Sequence, residues 1–309
     1  MRCRFRRRFL SVLGGGILLI FAIVIMGFDG RQRARKRSWN IEMPVLLQTA
    51  KFPTDGSILV CVPSAPGNFD KRQAIRDTWA TTRTIRVVFF VGVPYGTRAK
   101  YHQRVIEAEH ESFDDIVQVG FSDTYRNLTL KVISLMLWAS EHRWPDRRLI
   151  VKADDDTFVN TPLLLSYLDH FTNGNIYGLY QDTYTVPRCN VSACKKWGLT
   201  YHEFPSNIFP PHVRGAMYIL TEMALERLLK YLFDPPFLYI EDIYITGLVA
   251  GRAGVPVCSL PSGLKIVATS PTKSTVFILN KGLLSQHYCQ PQHHRDFWKR
   301  VRKNLPYKN

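Results

Sequence analysis

From Phe9 to Phe28 the chain runs for twenty residues without a charge, and this run constrains everything around it. A helix of that length rises about 30 Å, the thickness of a bilayer's hydrocarbon core. Basic clusters flank it: Arg2, Arg4, Arg6, Arg7 and Arg8 before, Arg31, Arg33, Arg35, Lys36 and Arg37 after. A cleaved signal peptide is the rival reading, but the run is long for such a segment and no convincing small-x-small site precedes Asp29. The expectation is an uncleaved anchor at 9–28, a tail at 1–8, an irregular stem at 29–55 with Pro44 and Pro53, and a folded domain at 56–309.

With five positive charges on either side, the positive-inside rule is a tie. Two features break it. Asn127-Leu128-Thr129 and Asn190-Val191-Ser192 are glycosylation acceptors that have meaning only on a lumenal body, although such triplets also arise by chance. Cys61, Cys189, Cys194, Cys258 and Cys289 all follow the anchor, and an oxidising lumen would allow two disulfides among them. Cys189 and Cys194 can close a short loop, and Cys61, inside Ile58-Leu59-Val60-Cys61-Val62, is the candidate for the unpaired buried thiol. No Cys-x-x-Cys spacing supports the zinc alternative. The tail is then cytoplasmic.

The net charge of +16 suggests a nucleic-acid partner until its distribution is considered. Ten basic residues and one acid lie between Met1 and Arg37, leaving 31 basic against 24 acidic residues in the remainder with no long runs. No basic stripe with interleaved aromatics follows, so nucleic acid is excluded as a partner.

Beyond Ser57, apolar β-rich runs alternate with longer amphipathic segments, which predicts an α/β domain with a mainly parallel central sheet. Strands are expected at Ile58 to Val62, Arg86 to Val91, Ile116 to Val119, Leu149 to Ala153, Ile176 to Tyr180 and Ala216 to Leu220. Helices are expected at Lys71 to Trp79, Thr97 to His110, Leu128 to His142, Pro162 to Phe171 and Glu222 to Leu232. The third of these sets Leu128, Val132, Leu135, Met136 and Ala139 on one face, as a helix packed on a sheet would.

The sharpest local feature is Leu149-Ile150-Val151-Lys152-Ala153-Asp154-Asp155-Asp156, a strand ending in three carboxylates. Ligands of open α/β sheets gather at the carboxyl ends of strands. Three adjacent negative charges repel unless a cation neutralises them, and oxygen ligands suit Mg²⁺ or Mn²⁺. Alternation puts Asp154 and Asp156 on one side and Asp155 on the other; a solvated acidic turn is the plainer alternative. Glu241-Asp242 follows Phe237-Leu238-Tyr239-Ile240 and can cap a helix or supply a general base. Arg72 and Arg76 can clamp a diphosphate or lie on a solvated helix face. His287, His293 and His294 cluster near the end without a spacing that separates ligand from surface.

Together these segments resemble the β1,3-galactosyltransferase family of hexosyltransferases, glycosyltransferase family 31, over about Ser57 to Trp298. Arg72-Gln73-Ala74-Ile75-Arg76-Asp77-Thr78-Trp79 is similar to the family's Arg-x-x-Ile-Arg-x-Thr-Trp. Asp123-Thr124-Tyr125-Arg126-Asn127-Leu128-Thr129-Leu130-Lys131 is similar to its Asp-Ser-Tyr-x-Asn-Leu-Thr-Leu-Lys. Lys152-Ala153-Asp154-Asp155-Asp156 resembles its Asp-x-Asp strand end, and Glu241-Asp242-Ile243-Tyr244 its Glu-Asp-Val-Tyr.

The resemblance implies a GT-A type fold, a UDP-galactose or UDP-N-acetylhexosamine donor, a glycan acceptor on protein or lipid, Mn²⁺, inversion at the anomeric carbon and a Golgi address. On it, Asp156 binds the metal, Asp154 lies near the metal's water shell or the ribose, and His287 is a late metal ligand. Asp242, beside Glu241, is the catalytic base, while Arg72, Arg76, Lys152, Asp154 and Asp155 face the nucleotide-sugar. The chain departs from the pattern in Pro210-Pro211-His212-Val213-Arg214-Gly215-Ala216-Met217-Tyr218, where Ala216 and Met217 replace glycines and Arg214 replaces a small residue. A catalytically silent lumenal relative, glycan-binding or chaperone-like, is the alternative; intact Asp154, Asp156 and Asp242 argue against it.

Overall fold

Runs such as Ile58-Leu59-Val60-Cys61-Val62 are apolar at every position because both faces of the sheet they enter are covered. The computed structural model describes residues 43–49, 56–82, 84–189, 196–272, 275, 279 and 281–304. The expected tail, the anchor at 9–28 and most of the expected stem lie outside the described residues. Among the described residues no helix is long and apolar enough to cross a membrane.

In chain order the strands are β1 (Val45–Leu47), β2 (Ile58–Pro63), β3 (Ile85–Val93), β4 (Ile116–Ser122), β5 (Leu149–Ala153), β6 (Phe158–Val159), β7 (Ile176–Gln181), β8 (Tyr184–Thr185), β9 (Ile208–Phe209), β10 (His212–Thr221), β11 (Val257–Ser259), β12 (Lys265–Val267) and β13 (Leu283–Gln286). The helices are α1 (Phe69–Arg76), α2 (Ala99–Phe113), α3 (Leu128–Glu141), α4 (Thr161–Ser166), α5 (Glu222–Leu229), α6 (Ala250–Ala253) and α7 (Pro291–Asn304), with a π-helical segment, Ile243–Val249, before α6.

The central sheet has the order β1-β4-β3-β2-β5-β10-β7-β11. Neighbours from β4 through β5 are parallel, as expected of βαβ units. Beyond this run β10 is antiparallel to both β5 and β7, β11 is parallel to β7, and β1 is antiparallel to β4, so four of the seven neighbouring pairs are parallel, as the expected mainly parallel sheet requires. The sheet is therefore mixed. β1 also falls inside the segment expected to be irregular. Three residues carry too little pattern to be read as a strand, and tertiary pairing to Val119 and Gln118 makes it one.

Alternation along β2 and β3 divides the core. Leu59, Cys61, Val88 and Phe90 face a layer built from α3, α5 and the π-helical segment. Ile58, Val60, Val62, Val87, Phe89 and Val91 face Ile75, Ile106, Phe297 and Trp298 of α1, α2 and α7. Full burial of each such side chain contributes about 1.5–3 kcal/mol. Cys61 is buried and free as expected, its thiol pushed up by burial. Cys189 is disulfide-bonded, with a partner outside the described residues. Cys258 and Cys289 are also free, so the expected second disulfide does not form between them: the Cys289 thiol is buried and donates to Gln286 O at 3.3 Å, while Cys258 lies on β11 at the sheet's edge.

Two topological facts position the site. Met217 pairs with Ala153, so β10 runs past the end of β5, and Asp154 N donates to Ala216 O at 3.0 Å. A second sheet, β12-β13-β6, pairs Gln286 with Phe158. Its antiparallel register returns the chain to the acidic turn, where Cys289 N donates to Asp156 O at 2.8 Å.

Candidate active site

Where β5 ends, the three carboxylates separate as their alternation requires. Asp155 turns toward the β2–α1 loop, accepting from Ser64 Oγ and Asn68 Nδ2 at 2.8 Å each and from Lys71 Nζ at 3.1 Å. Asp154 and Asp156 turn the other way, toward His287. His287 Nε2 lies 3.1 Å from Asp156 Oδ1 and 3.7 Å from Asp154 Oδ2. One ligand atom from each of the three residues falls within 4.8 Å of the others, and all three side chains are part-exposed. Burial works against the Asp156 charge, but His287 and Lys71 outweigh it and hold that carboxyl below its ordinary range. Asp154 moves the other way, raised by desolvation despite Lys152 beside it.

Lys152 is the cation that permits so many acids here. On the face of β5 opposite the side chains of Val151 and Ala153, it is buried, with Nζ 2.6 Å from Asp154 Oδ1, 2.8 Å from Glu241 Oε1 and donating to Gly215 O. Asp154 and Glu241 overcome the cost of burying it and keep it charged. Glu241 is itself buried, takes a 3.2 Å hydrogen bond from Tyr218 Oη, and is pushed up by burial to about 7.

Asp242, next in the chain, is part-exposed instead. Its Oδ2 accepts from Gly215 N at 2.8 Å and its Oδ1 from Ile243 N at 2.9 Å. Thr246 Oγ1 donates to Asp242 O at 2.7 Å, and Val213 N donates to Thr246 Oγ1 at 3.1 Å. The chain then enters the π-helical segment, a form concentrated at functional sites. Gly215 allows the whole arrangement. A Cβ there would lie 2.9 Å from Glu241 Oε1 and 3.2 Å from Asp242 Oδ2.

The Galactosyltransferase family model matches residues 70–261, more than half of the 309. The chain belongs to the galactosyltransferase family. Among curated members, pig UDP-GalNAc:beta-1,3-N-acetylgalactosaminyltransferase 1 is 31% identical over 206 residues, covering 61% of this chain and 58% of that protein. Human Beta-1,3-galactosyltransferase 4 is 28% identical over 281 residues, 79% of this chain and 72% of that protein. Human N-acetyllactosaminide beta-1,3-N-acetylglucosaminyltransferase 4 is 26% identical over 260 residues, 82% and 67% respectively.

In this galactosyltransferase-family chain the acidic strand end and Glu241-Asp242 fall inside the matched segment, whereas His287 lies beyond it. Several residues expected to face a nucleotide-sugar are engaged by protein groups instead. Arg72 is fully buried, forking onto Glu109 at 2.8 and 2.7 Å and donating to Ser64 Oγ and Ala65 O. Arg76 forks onto Asp115 at 2.7 Å, reaches Glu109 at 2.7 Å and lies over the Phe89 and Phe113 rings. Arg72 braces the β2–α1 loop against Glu109 of α2, and Arg76 ties α1 to Glu109 and to Asp115 just before β4, partners 37 and 39 residues away and invisible in the helix pattern. Lys152 and Asp155 have the same character, since each is satisfied from within.

His293 and His294 do not join His287. His293 Nδ1 accepts from Gln290 N at 3.0 Å, and buried His294 accepts from Trp79 Nε1 at 3.1 Å. Lys71, 3.7 Å from Asp156 Oδ2, was not expected at the site. Its only sequence signal is its place beside Arg72 at the start of a helix.

Proposed function

We propose that the chain is an inverting β1,3-hexosyltransferase of GT-A type, transferring a hexose from a UDP-sugar to a glycan acceptor on protein or lipid. The carrying observation is that a braced, part-exposed carboxylate, Asp242, and the Asp154–Asp156–His287 cluster share the carboxyl end of β5, joined through Lys152. The relatives' names, which cover galactose, N-acetylglucosamine and N-acetylgalactosamine transfer through β1,3 linkages, support the reaction class and leave the sugar to experiment.

Two carboxylates and an imidazole form a donor set that fits a hard divalent cation, and Mn²⁺ accepts both oxygen and nitrogen. Bound there, Mn²⁺ would neutralise the charge that builds on the departing diphosphate. Asp242 takes the proton of the attacking acceptor hydroxyl. Each of its oxygens accepts one main-chain N–H, which fixes its orientation and leaves lone pairs for the acceptor. Glu241, behind it and paired with Lys152 and Tyr218, positions Asp242 rather than touching substrate. Attack from the face opposite UDP inverts the anomeric centre, giving a β linkage from an α donor.

The same reading makes the chain a single-pass type II Golgi membrane protein, anchored at 9–28 with its catalytic domain, 56–309, in the lumen. The uncharged run and the disulfide at Cys189 support that placement.

The test is UDP release by the full-length protein in detergent, across UDP-galactose, UDP-N-acetylglucosamine and UDP-N-acetylgalactosamine, with methyl glycoside acceptors, with Mn²⁺ and with chelator. Release that needs metal, one donor and an acceptor is expected. UDP binding without turnover across the panel would favour the silent glycan-binding relative.

A further inference from the structure

An acceptor must bring a hydroxyl to Asp242, so the surface beside that carboxylate selects the glycan. One flank of it is built from Tyr125, after β4, and the segment from Lys196 to Tyr201. Lys196 Nζ lies over the Tyr125 ring at 4.5 Å and over the Trp197 ring at 5.5 Å. Tyr125 meets Tyr239 edge-on at 6.2 Å, and Tyr239 Oη donates to Gly198 O at 2.8 Å. Tyr239 stands three residues before Asp242, so the flank is tied to the turn that carries the base. The electrostatics agree: burial, and then the Asp242 carboxylate, push the Tyr125 phenol above its ordinary range.

This flank keeps apolar rings in water. Trp197 is 50% exposed and Tyr125 36%. Looseness of the segment does not explain that exposure, because it is held at several points. Arg188 donates to Thr200 O and Phe204 O and covers the Tyr201 ring at 3.9 Å. Glu203 accepts from Thr200 N at 3.0 Å and pairs with Arg126 at 3.2 Å. Exposed aromatic rings on a braced support, beside a reactive group and with a hydrogen-bond donor above them, have the composition of a ligand-binding surface. A pyranose matches it: its C–H face covers an indole, and its hydroxyl rim suits an ammonium.

We propose that Trp197, Tyr125 and Lys196 form an acceptor subsite that stacks on the C–H face of a pyranose whose hydroxyl is presented to Asp242. This rests on the transferase reading and deepens it. Trp197 and Lys196 are then specificity-determining residues that touch the acceptor and leave the donor alone.

The experiment compares full-length wild type with Trp197→Ala, Trp197→Phe and Lys196→Ala, using methyl β-galactoside and methyl β-N-acetylglucosaminide as acceptors. Acceptor KM, donor KM and acceptor-independent, metal-dependent UDP-sugar hydrolysis are measured together. Trp197→Ala is expected to raise acceptor KM about tenfold, the worth of one aromatic contact. Trp197→Phe should recover most of that loss and Lys196→Ala should raise KM less, with donor KM and hydrolysis unchanged in all three. An acceptor KM that stays at the wild-type value in Trp197→Ala, with transfer intact, overturns the subsite and leaves the transferase standing. Wild type that neither transfers nor hydrolyses any donor removes the transferase reading, and the subsite with it.

Discussion

Two charged clusters lie on either side of the β5 terminus, and they are built on opposite terms. Around Arg72, every charge is answered within the protein: Glu109 takes two arginines, Asp115 takes Arg76, and Lys131 pairs with Asp123 at 2.7 Å while reaching back to Ser64 O. These side chains are almost entirely out of water. Around Asp156, three ligating groups face one another part-exposed, and Asp242 keeps capacity for an outside partner. Each cluster draws on a motif legible in the sequence, the acidic strand end being the sharper of the two. Internal neutralisation marks the framework, and incomplete neutralisation marks the cluster proposed to hold the metal and substrate.

That contrast can be broken by substitution, and the largest effect belongs to the open cluster. Asp242→Asn is expected to lower kcat by about a thousandfold or more, as loss of a general base does. Its melting temperature and UDP affinity should stay at wild-type values in thermal unfolding and calorimetric titration. Retained turnover would remove Asp242 from its role.

Arg72→Met should do the reverse. Stranding Glu109 beside a single remaining arginine costs about 3–5 kcal/mol, roughly 10 °C in melting temperature, while activity per folded molecule persists. A stable but inactive variant would mean that Arg72 reaches substrate after all.

Gly215→Ala probes the seam between the clusters. The added methyl would press on Glu241 Oε1 and displace the carboxylate beside it, with a fall in kcat of about tenfold expected from misplacing the base. Unfolding should barely change, and unaltered kcat would show that Asp242 tolerates the shift.

The smallest effect is a pH dependence on the framework side. Burial holds His294 at about 3, against 6.5 when unfolded, so the unfolded chain binds the extra proton between those values. Stability is complete above about 6.5 and is lost progressively as pH falls toward about 3. His294→Gln keeps an acceptor for Trp79 and removes the titration. Its melting temperature should fall less steeply than wild type between about pH 7 and about pH 5; parallel slopes would assign the acid sensitivity elsewhere.

What the sequence made legible divides along the same line. Leu149–Ala153 was readable to the residue because an apolar run interrupted only by Lys152 is ended by three acids. The Asp154/Asp156 pairing followed from alternation alone. The roles of Arg72 and Arg76 were hidden because Glu109 and Asp115 reach them only through the fold. The helix expected through Trp79 stops at Arg76, where Thr78 Oγ1 turns back onto Ala74 O and Trp79 goes to pack against His294. Helix Pro162 to Phe171 likewise divides into α4 and a 3₁₀ turn, Leu168–His170. The antiparallel course of β10 has no signature in composition, yet it brings Gly215 against Asp242.

The pairing of β13 with β6 also governs timing. Synthesis delivers the acidic turn, Gly215 and Asp242 long before His287, and His287 reaches Asp156 only after β13 has closed on β6 and α7 has docked on α1. The centre is therefore complete only once the second sheet has closed on the acidic turn.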